Sequence, residues 1–373
     1  MARLGDICTI VSGSTPKSNI PEYWDGNIKW ITPAELDQGT YIINDSVRHI
    51  TELGVAKTGL KPFPQGTVIL SSRAPIGKTA IAGCEMYCNQ GFKNLICSDK
   101  INPRYLYWFL TCNTEYLNSL GRGATFKEIS KEIVANIEIP LPPMEQQISV
   151  AKKFEKISEL IALRKEQLSK LDQLVKSRFI ELFGDVKEEE KLINLCNFID
   201  YRGKTPEKTE SGLPFITAKN VKMHHMSFDT QEFISKETYD KVMTRGFPRI
   251  GDVVFTTEAP LGNVCRIPYI ETEFYIGQRI ITMQTEQLEP SYLEYALSSD
   301  DFKRKIAEKS SGSTVTGIRS KLLEQLTIPV PPRAVQKQFA TFVEQTDKSK
   351  LAIQQSFDKL ELLKKSLMQE YFG

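Results

Sequence analysis

The sequence predicts an α+β protein with pseudo-twofold symmetry. Two similar mixed α/β domains are separated by two long antiparallel helices that form a coiled coil. Three observations carry that expectation. A long helical segment occurs twice without a gap, the segments preceding it repeat more loosely, and within each copy short β-rich runs sit between Gly/Pro turns.

The helical repeat is the firmest of the three. Residues 142–184 align with residues 331–373 at a constant offset of 189, so that Gln147 falls on Gln336, Leu171 on Leu360 and Phe183-Gly184 on Phe372-Gly373. A Pro-Pro pair opens each copy and glycine closes it, the asymmetry expected at helix ends. In the first copy Phe154, Ile157, Ile161, Leu168, Leu171 and Val175 recur at spacings of three and four, interrupted at Arg164 and Arg178. In the second, Ile353, Phe357, Leu360, Leu363 and Leu367 do the same after a weaker middle at 348–350. A helix of about 40 residues is about 60 Å long, too long to hide its apolar stripe in one small domain. The natural partner for each stripe is the other copy.

The domains follow the same order twice: 1–139, a spacer helix in 140–184, 185–327, and a second spacer helix in 328–373. Gly13-Ser14-Thr15-Pro16 matches Gly203-Lys204-Thr205-Pro206, Trp30-Ile31-Thr32 matches Phe215-Ile216-Thr217, and Gly66-Thr67-Val68-Ile69-Leu70 matches Gly251-Asp252-Val253-Val254-Phe255. Strands are expected near 67–70, 78–81, 253–256 and 279–283, and short helices at 105–110 and 292–297 after Pro103 and Pro290. At the domain starts, Leu195-Cys196-Asn197 is set against Gly5-Asp6-Ile7.

Composition narrows the function classes. With 40% hydrophobic and 25% charged residues the chain reads as globular. No apolar run approaches the roughly 20 residues of a membrane span, and no signal-peptide core is visible at the start, so a cytoplasmic location is expected. Seven cysteines without a disulfide framework read as reduced thiols. The net charge of +2 does not by itself suggest nucleic acid. Any DNA contact must come from local placement of cations or from a partner that neutralises phosphates.

Catalytic motifs fail on inspection. Gly77-Lys78-Thr79 suggests a phosphate loop, but the position that would hold the first glycine is Ser72. Asn102-Pro103-Arg104-Tyr105 resembles the Asn-Pro-Pro-Tyr signature of amino-methyltransferases, yet lacks the second proline and reads better as a helix start. His49, His224 and His225 are the whole histidine complement, and Cys84 and Cys88 complete no zinc pattern with Cys97 and Cys112. No catalytic residue, metal site or cofactor of the chain's own is expected.

Polar loops recurring at matching places are what remain. The first carries Ser14, Thr15 and Lys17, opposite Arg202, Lys204 and Thr205. A second pairs Ser71, Ser72 and Arg73 with Thr256, Thr257 and Glu258. Arg73 has the chemistry to read guanine and Glu258 to accept from cytosine. The third holds Arg122, Thr125 and Lys127, opposite Ser313 and Thr314. Lys78, Lys219, Arg279 and Arg319 complete the candidate DNA-binding set. Any one of these loops is more often an ordinary turn; their joint recurrence is the signal.

Several of these residues resemble a known family. Leu4-Gly5-Asp6, Gly13-Ser14-Thr15-Pro16, Tyr23-Trp24, Ile28-Lys29-Trp30-Ile31-Thr32, and above all Ile139-Pro140-Leu141-Pro142-Pro143 with Glu145-Gln146-Gln147 are similar to the specificity subunit of type I restriction-modification systems. The second copy keeps Gly203, Thr205-Pro206 and Ile328-Pro329-Val330-Pro331-Pro332 with Gln336. The resemblance implies two target-recognition domains, each reading one half of a bipartite asymmetric site in double-stranded DNA. It also implies helices that fix the half-site spacing, and two methyltransferase subunits docked on them that carry S-adenosylmethionine and the adenine N6 chemistry. Two restriction subunits using ATP and Mg can join. The competing reading is a coiled-coil protein scaffold that never touches DNA, which the near-neutral charge favours.

Overall fold

The computed structural model describes residues 1–37, 39–73, 75–123, 127–310 and 317–373. The chain divides into two compact units: Met1–Lys165 with Gln355–Gly373, and Glu166–Gln354. The division falls within the long helices, Met144–Phe183 and Arg333–Phe372, rather than at their ends. Each unit therefore contains one globular domain and a length of both helices.

In the first unit the central layer is a five-stranded sheet in the order Cys8–Ser12, Lys93–Cys97, Val68–Leu70, Thr79–Ala82, Ile42–Ile43. Val68–Leu70 and Thr79–Ala82 are buried along their whole length, which is why they read as continuous apolar runs rather than alternating ones. A three-stranded sheet, Arg48–Ile50, Trp24–Ile31 and Tyr87–Cys88, completes the domain. The domain's first and last strands, Ala2–Arg3 and Glu138–Ile139, pair antiparallel and close it.

The second unit repeats the plan. Asn197–Asp200, Ile280–Gln284, Val253–Thr256 and Val264–Arg266 form the main sheet, and Phe233–Ile234, Leu213–Ile216 and Tyr275–Ile276 the smaller one. Glu189–Lys191 pairs antiparallel with Thr327–Pro329 to close the domain.

A short apolar helix seats each domain on the long helices. Pro103–Cys112 starts on Asn102, whose carboxamide oxygen accepts from the Arg104 and Tyr105 amides, satisfying donors that a helix start leaves open. Its Trp108 stacks on Phe154 at 5.4 Å, and Phe154 on Phe372 at 5.6 Å, so one aromatic column ties the short helix to both long ones. In the second unit Tyr292 of Pro290–Ser298 packs on Phe179 and Phe183, and both meet Phe339.

Within each unit the long helices run in opposite senses. In the first, Lys153 donates to the Tyr371 hydroxyl at 2.8 Å and Arg164 to the Ser356 hydroxyl at 3.2 Å, numbers rising on one helix as they fall on the other. In the second, Asp172 pairs with Lys350 at 2.6 Å and Phe183 lies against Phe339. Phe154, Ile157, Ile161 and Val175 are buried, while Leu168, Leu171, Ile353, Phe357, Leu360 and Leu367 are half-buried. Leu363 departs from the expectation: it is 47% exposed. Strict alternation of four and three from Ile353 runs through Phe357, Leu360, Lys364, Leu367 and Tyr371, so Lys364 takes the inward place and lies over the Trp108 ring at 5.4 Å.

The start of the second domain also needs correcting. The short helix Leu4–Ile7 has its counterpart in Leu192–Leu195, each followed by an extended cysteine whose amide donates back to the first residue of the turn. The offset is 188, so Cys196 corresponds to Cys8 and not to Asp6. Leu4/Leu192, Asp6/Asn194, Ile7/Leu195 and Cys8/Cys196 mark that offset, and only Gly5 against Ile193 interrupts it.

Candidate nucleic-acid interface

The loop after Cys8–Ser12 in the first domain, and after Asn197–Asp200 in the second, is held from behind by aromatic donors. The indole N–H of Trp30 donates to the Ser14 carbonyl at 3.0 Å and that of Trp24 to the Lys17 carbonyl at 3.2 Å. Thr15 reaches Gln90 through its hydroxyl. In the second domain Tyr275 donates to the Lys204 carbonyl at 3.0 Å, at the position equivalent to Ser14. With the carbonyls pinned inward, Thr15, Lys17, Arg202 and Thr205 stand exposed. The two glycines that open these loops are required for different reasons. A Cβ on Gly13 would lie 2.0 Å from the Cys88 carbonyl oxygen, whereas Gly203 has open space but a φ of +81°.

The second pair of loops differs from the sequence reading. Ser71 and Ser72 are fully buried and Thr257 nearly so. Ser71 donates to the Pro75 carbonyl at 2.7 Å and accepts from the Lys78 amide at 2.9 Å, Ser72 accepts from Lys93, and Thr257 donates to the Arg279 carbonyl. These hydroxyls are spent on building the turn and are corrected from readers to supports. Arg73 and Glu258 are exposed at their tips, but each already has a partner. Arg73 pairs with Glu128 at 2.9 Å, and Glu258 with Arg279 at 2.8 Å. Burial works to raise the Glu128 carboxyl, but the hydrogen bonds and charges of Lys93 and Arg73 outweigh it and hold the group below its ordinary range. Ion pairs this exposed are worth about 0–1 kcal/mol, so either side chain can exchange its partner for a base edge at small cost.

Hydrogen bonds join these elements into one polar edge per domain. In the first, Thr15 meets Gln90, the Ser72 amide donates to Gly91, Arg73 pairs with Glu128, and Glu128 exchanges backbone hydrogen bonds with Arg122. In the second, the Ile318 amide donates to Thr257, Glu258 pairs with Arg279, and the Arg202 guanidinium reaches the Ile318 carbonyl at 3.4 Å. Lys127 and Arg319 are exposed beside these edges. Lys78 turns aside to the Pro33 carbonyl, and Lys219 stands 3.9 Å from Glu232, outside this chain of contacts. Thr125, Ser313 and Thr314 lie outside the described residues.

Sequence reasoning passed over two kinds of residue. Arg48 lies flat over Trp24 at 3.5 Å, an exposed cation on the aromatic pair that pins the first loop. Gln147 and Gln336, read in the sequence only as repeat and family-motif positions, are buried fasteners. The carboxamide oxygen of each accepts the amide at the start of the short helix, Asn102 at 2.8 Å and Glu289 at 2.9 Å, and its nitrogen donates to the carbonyl of Pro142 or Pro331. Tyr105 and Tyr292 add hydroxyl donors to Pro140 and Pro329. Two polar residues kept at one offset inside an apolar repeat were the available signal.

One mixed α/β domain plan built twice along paired long helices defines the class of fold, and comparison with known proteins assigns the family. The profile of the type I restriction modification DNA specificity domain matches residues 1–173 and 187–364, and the chain belongs to that family. Among its relatives, the MjaIX specificity subunit of the type I restriction enzyme of Methanocaldococcus jannaschii is 29% identical, across 92% of this chain and 85% of that protein. The MjaVIII specificity subunit of the same organism is 24% identical across 99% and 90%, and the EcoKI specificity subunit of Escherichia coli 21% across 92% and 81%. The fold matches a crystal structure of the type I system S subunit from M. genitalium over the whole chain and 95% of that one, with TM-score 0.61 at 16% identity. No helix among the described residues is long and apolar enough to cross a membrane.

Proposed function

We propose that this specificity subunit reads a bipartite, asymmetric DNA site, one half with each domain, and leaves the chemistry to its companions. The observation that carries the reading is the polar edge assembled twice on one scaffold from unlike side chains. Arg73, Arg122 and Lys17 line the first, and Glu258, Arg279 and Arg202 the second. Equal backbones with different donors and acceptors are what two different base sequences require. The length of the helix pair would set the half-site spacing, as spacing is set in other two-headed binders. Two methyltransferase subunits would dock on the helices and carry S-adenosylmethionine, with restriction subunits able to join. The near-balanced charge fits a subunit whose companions supply much of the phosphate contact.

Exchanging residues 1–139 for the first domain of another such subunit, then mapping methylated adenines in the host genome, tests the reading. One half of the motif should change and the other stay. A change in both halves would show that the domains are not independent readers. A protein scaffold predicts no DNA retention by the assembled complex, against the steep loss of retention with salt expected here.

A further inference from the structure

Cys8 and Cys97 stand directly opposite each other on neighbouring antiparallel strands of the first domain's main sheet. The Ser98 amide donates to the Ile7 carbonyl at 3.0 Å, which makes Cys8 and Cys97 a non-hydrogen-bonded pair. At such positions the Cα atoms are about 4.5 Å apart and the side chains at their closest. Disulfides span Cα separations of roughly 4.4–6.8 Å. Both thiols are free, Cys8 buried and Cys97 partly exposed. The contact with the Cys8 sulfur and burial together hold the Cys97 thiol well above its ordinary pKa.

The second domain supplies an internal control. Asn197 pairs with Gln284, so the next rung outward sets Cys196 opposite Thr285, and the Thr285 hydroxyl donates to the Leu195 carbonyl at 2.8 Å. One cysteine of the pair is kept and the other is threonine, so the same rung can close in the first domain and not in the second.

We propose that Cys8 and Cys97 are a thiol modification site, oxidised by small-molecule disulfides to a cross-strand bridge that locks the first recognition domain. The thiolate of the more accessible Cys97 attacks one sulfur of the reagent, forming a mixed disulfide and expelling one thiolate. The Cys8 thiolate then attacks the Cys97 sulfur and expels the second. Two protein thiols lose two protons and two electrons, and the reagent is reduced to two thiols. The raised Cys97 thiol makes the reaction slow at neutral pH and faster as pH rises. The bridge ties the start of strand Cys8–Ser12, while the Gly13 loop leaves from its other end, roughly 15 Å away at strand rise. It therefore fixes the sheet and leaves the reading edge in place.

The test is to incubate the reduced full-length chain with oxidised glutathione, block remaining thiols and map peptides by mass. The expected result is loss of two of the seven thiols, a Cys8–Cys97 cross-linked peptide, reversal by reductant, a rate that rises from pH 7 to pH 9, and a higher melting midpoint. Cys97→Thr, which copies the second domain, should remove the cross-link. Thr285→Cys should add a second one through Cys196. Glutathione retained on Cys97 without a cross-link would overturn the proposal. So would unchanged thiols in the wild type under conditions that cross-link Thr285→Cys.

Discussion

At the junction with the long helices the two units solve one packing problem with different chemistry. In the first, Tyr41 stacks over Trp108 and its hydroxyl reaches Glu155 on the first long helix. Burial first, and then that carboxylate, push the phenol far above its usual range, so it stays a neutral donor. In the second, His224 stacks on Tyr295 at 4.2 Å and contacts the buried Glu294 at 2.9 Å. Arg266 bridges Glu294 at 2.6 Å to Asp347 on the second long helix at 2.9 Å. The stacked platform is common to both; what reaches the helix is an aromatic hydroxyl in one and an ionic relay in the other. The scaffold thus fixes where a side chain must stack, while the polar group joined to it is exchangeable.

That comparison can be broken from either side. Phe154→Ala opens a cavity in the aromatic column of the first unit and should cost about 3–5 kcal/mol in denaturant unfolding. Its counterpart Val343 is smaller, so Val343→Ala should cost less; equal losses would mean the columns are not equivalent. Arg266→Met leaves Glu294 buried with only His224 beside it and should cost about 3 kcal/mol. Converting Glu294 to Gln as well should recover part of that loss. Gln147→Ala and Gln336→Ala each leave a part-buried helix-start amide without its acceptor, for about 1 kcal/mol. Similar values for the two would sharpen the claim that the fasteners are one device used twice.

The smallest effect concerns pH. The folded Glu128 carboxyl lies below its unfolded value, so its contribution is fully present above the ordinary glutamate range near pH 4.3 and is lost as pH falls through the folded value. Acidification should therefore speed exchange of the Arg122 and Glu128 amides, corrected for intrinsic rates. The Ile318 amide, which donates to the Thr257 carbonyl in the second domain, serves as the reference for that change. Glu128→Gln should show the loosened behaviour already at pH 6.

Periodicity and internal repetition were enough, before any coordinates, to lay out two domains and two long helices, because apolar spacing and Pro/Gly punctuation are local. Val68–Leu70 and Val253–Thr256 could be read as strands because each is buried on both faces. The site was only half legible. Thr15, Lys17 and Arg202 do stand outward, but Ser71, Ser72 and Thr257 look identical in sequence to surface hydroxyls and are buried. Whether a hydroxyl serves a turn or solvent depends on the strands that close over it. For the same reason the sequence prefers Leu363 to Lys364, since Leu363 also lies three from Leu360 and four from Leu367 and is the apolar one, until a neighbouring ring selects Lys364. The order and kind of elements came from the sequence because they depend on neighbours along the chain. Which side chains are free to meet a ligand was decided by tertiary structure, because hydrogen bonding and burial link residues far apart in sequence, as between Cys8 and Cys97 or Arg73 and Glu128.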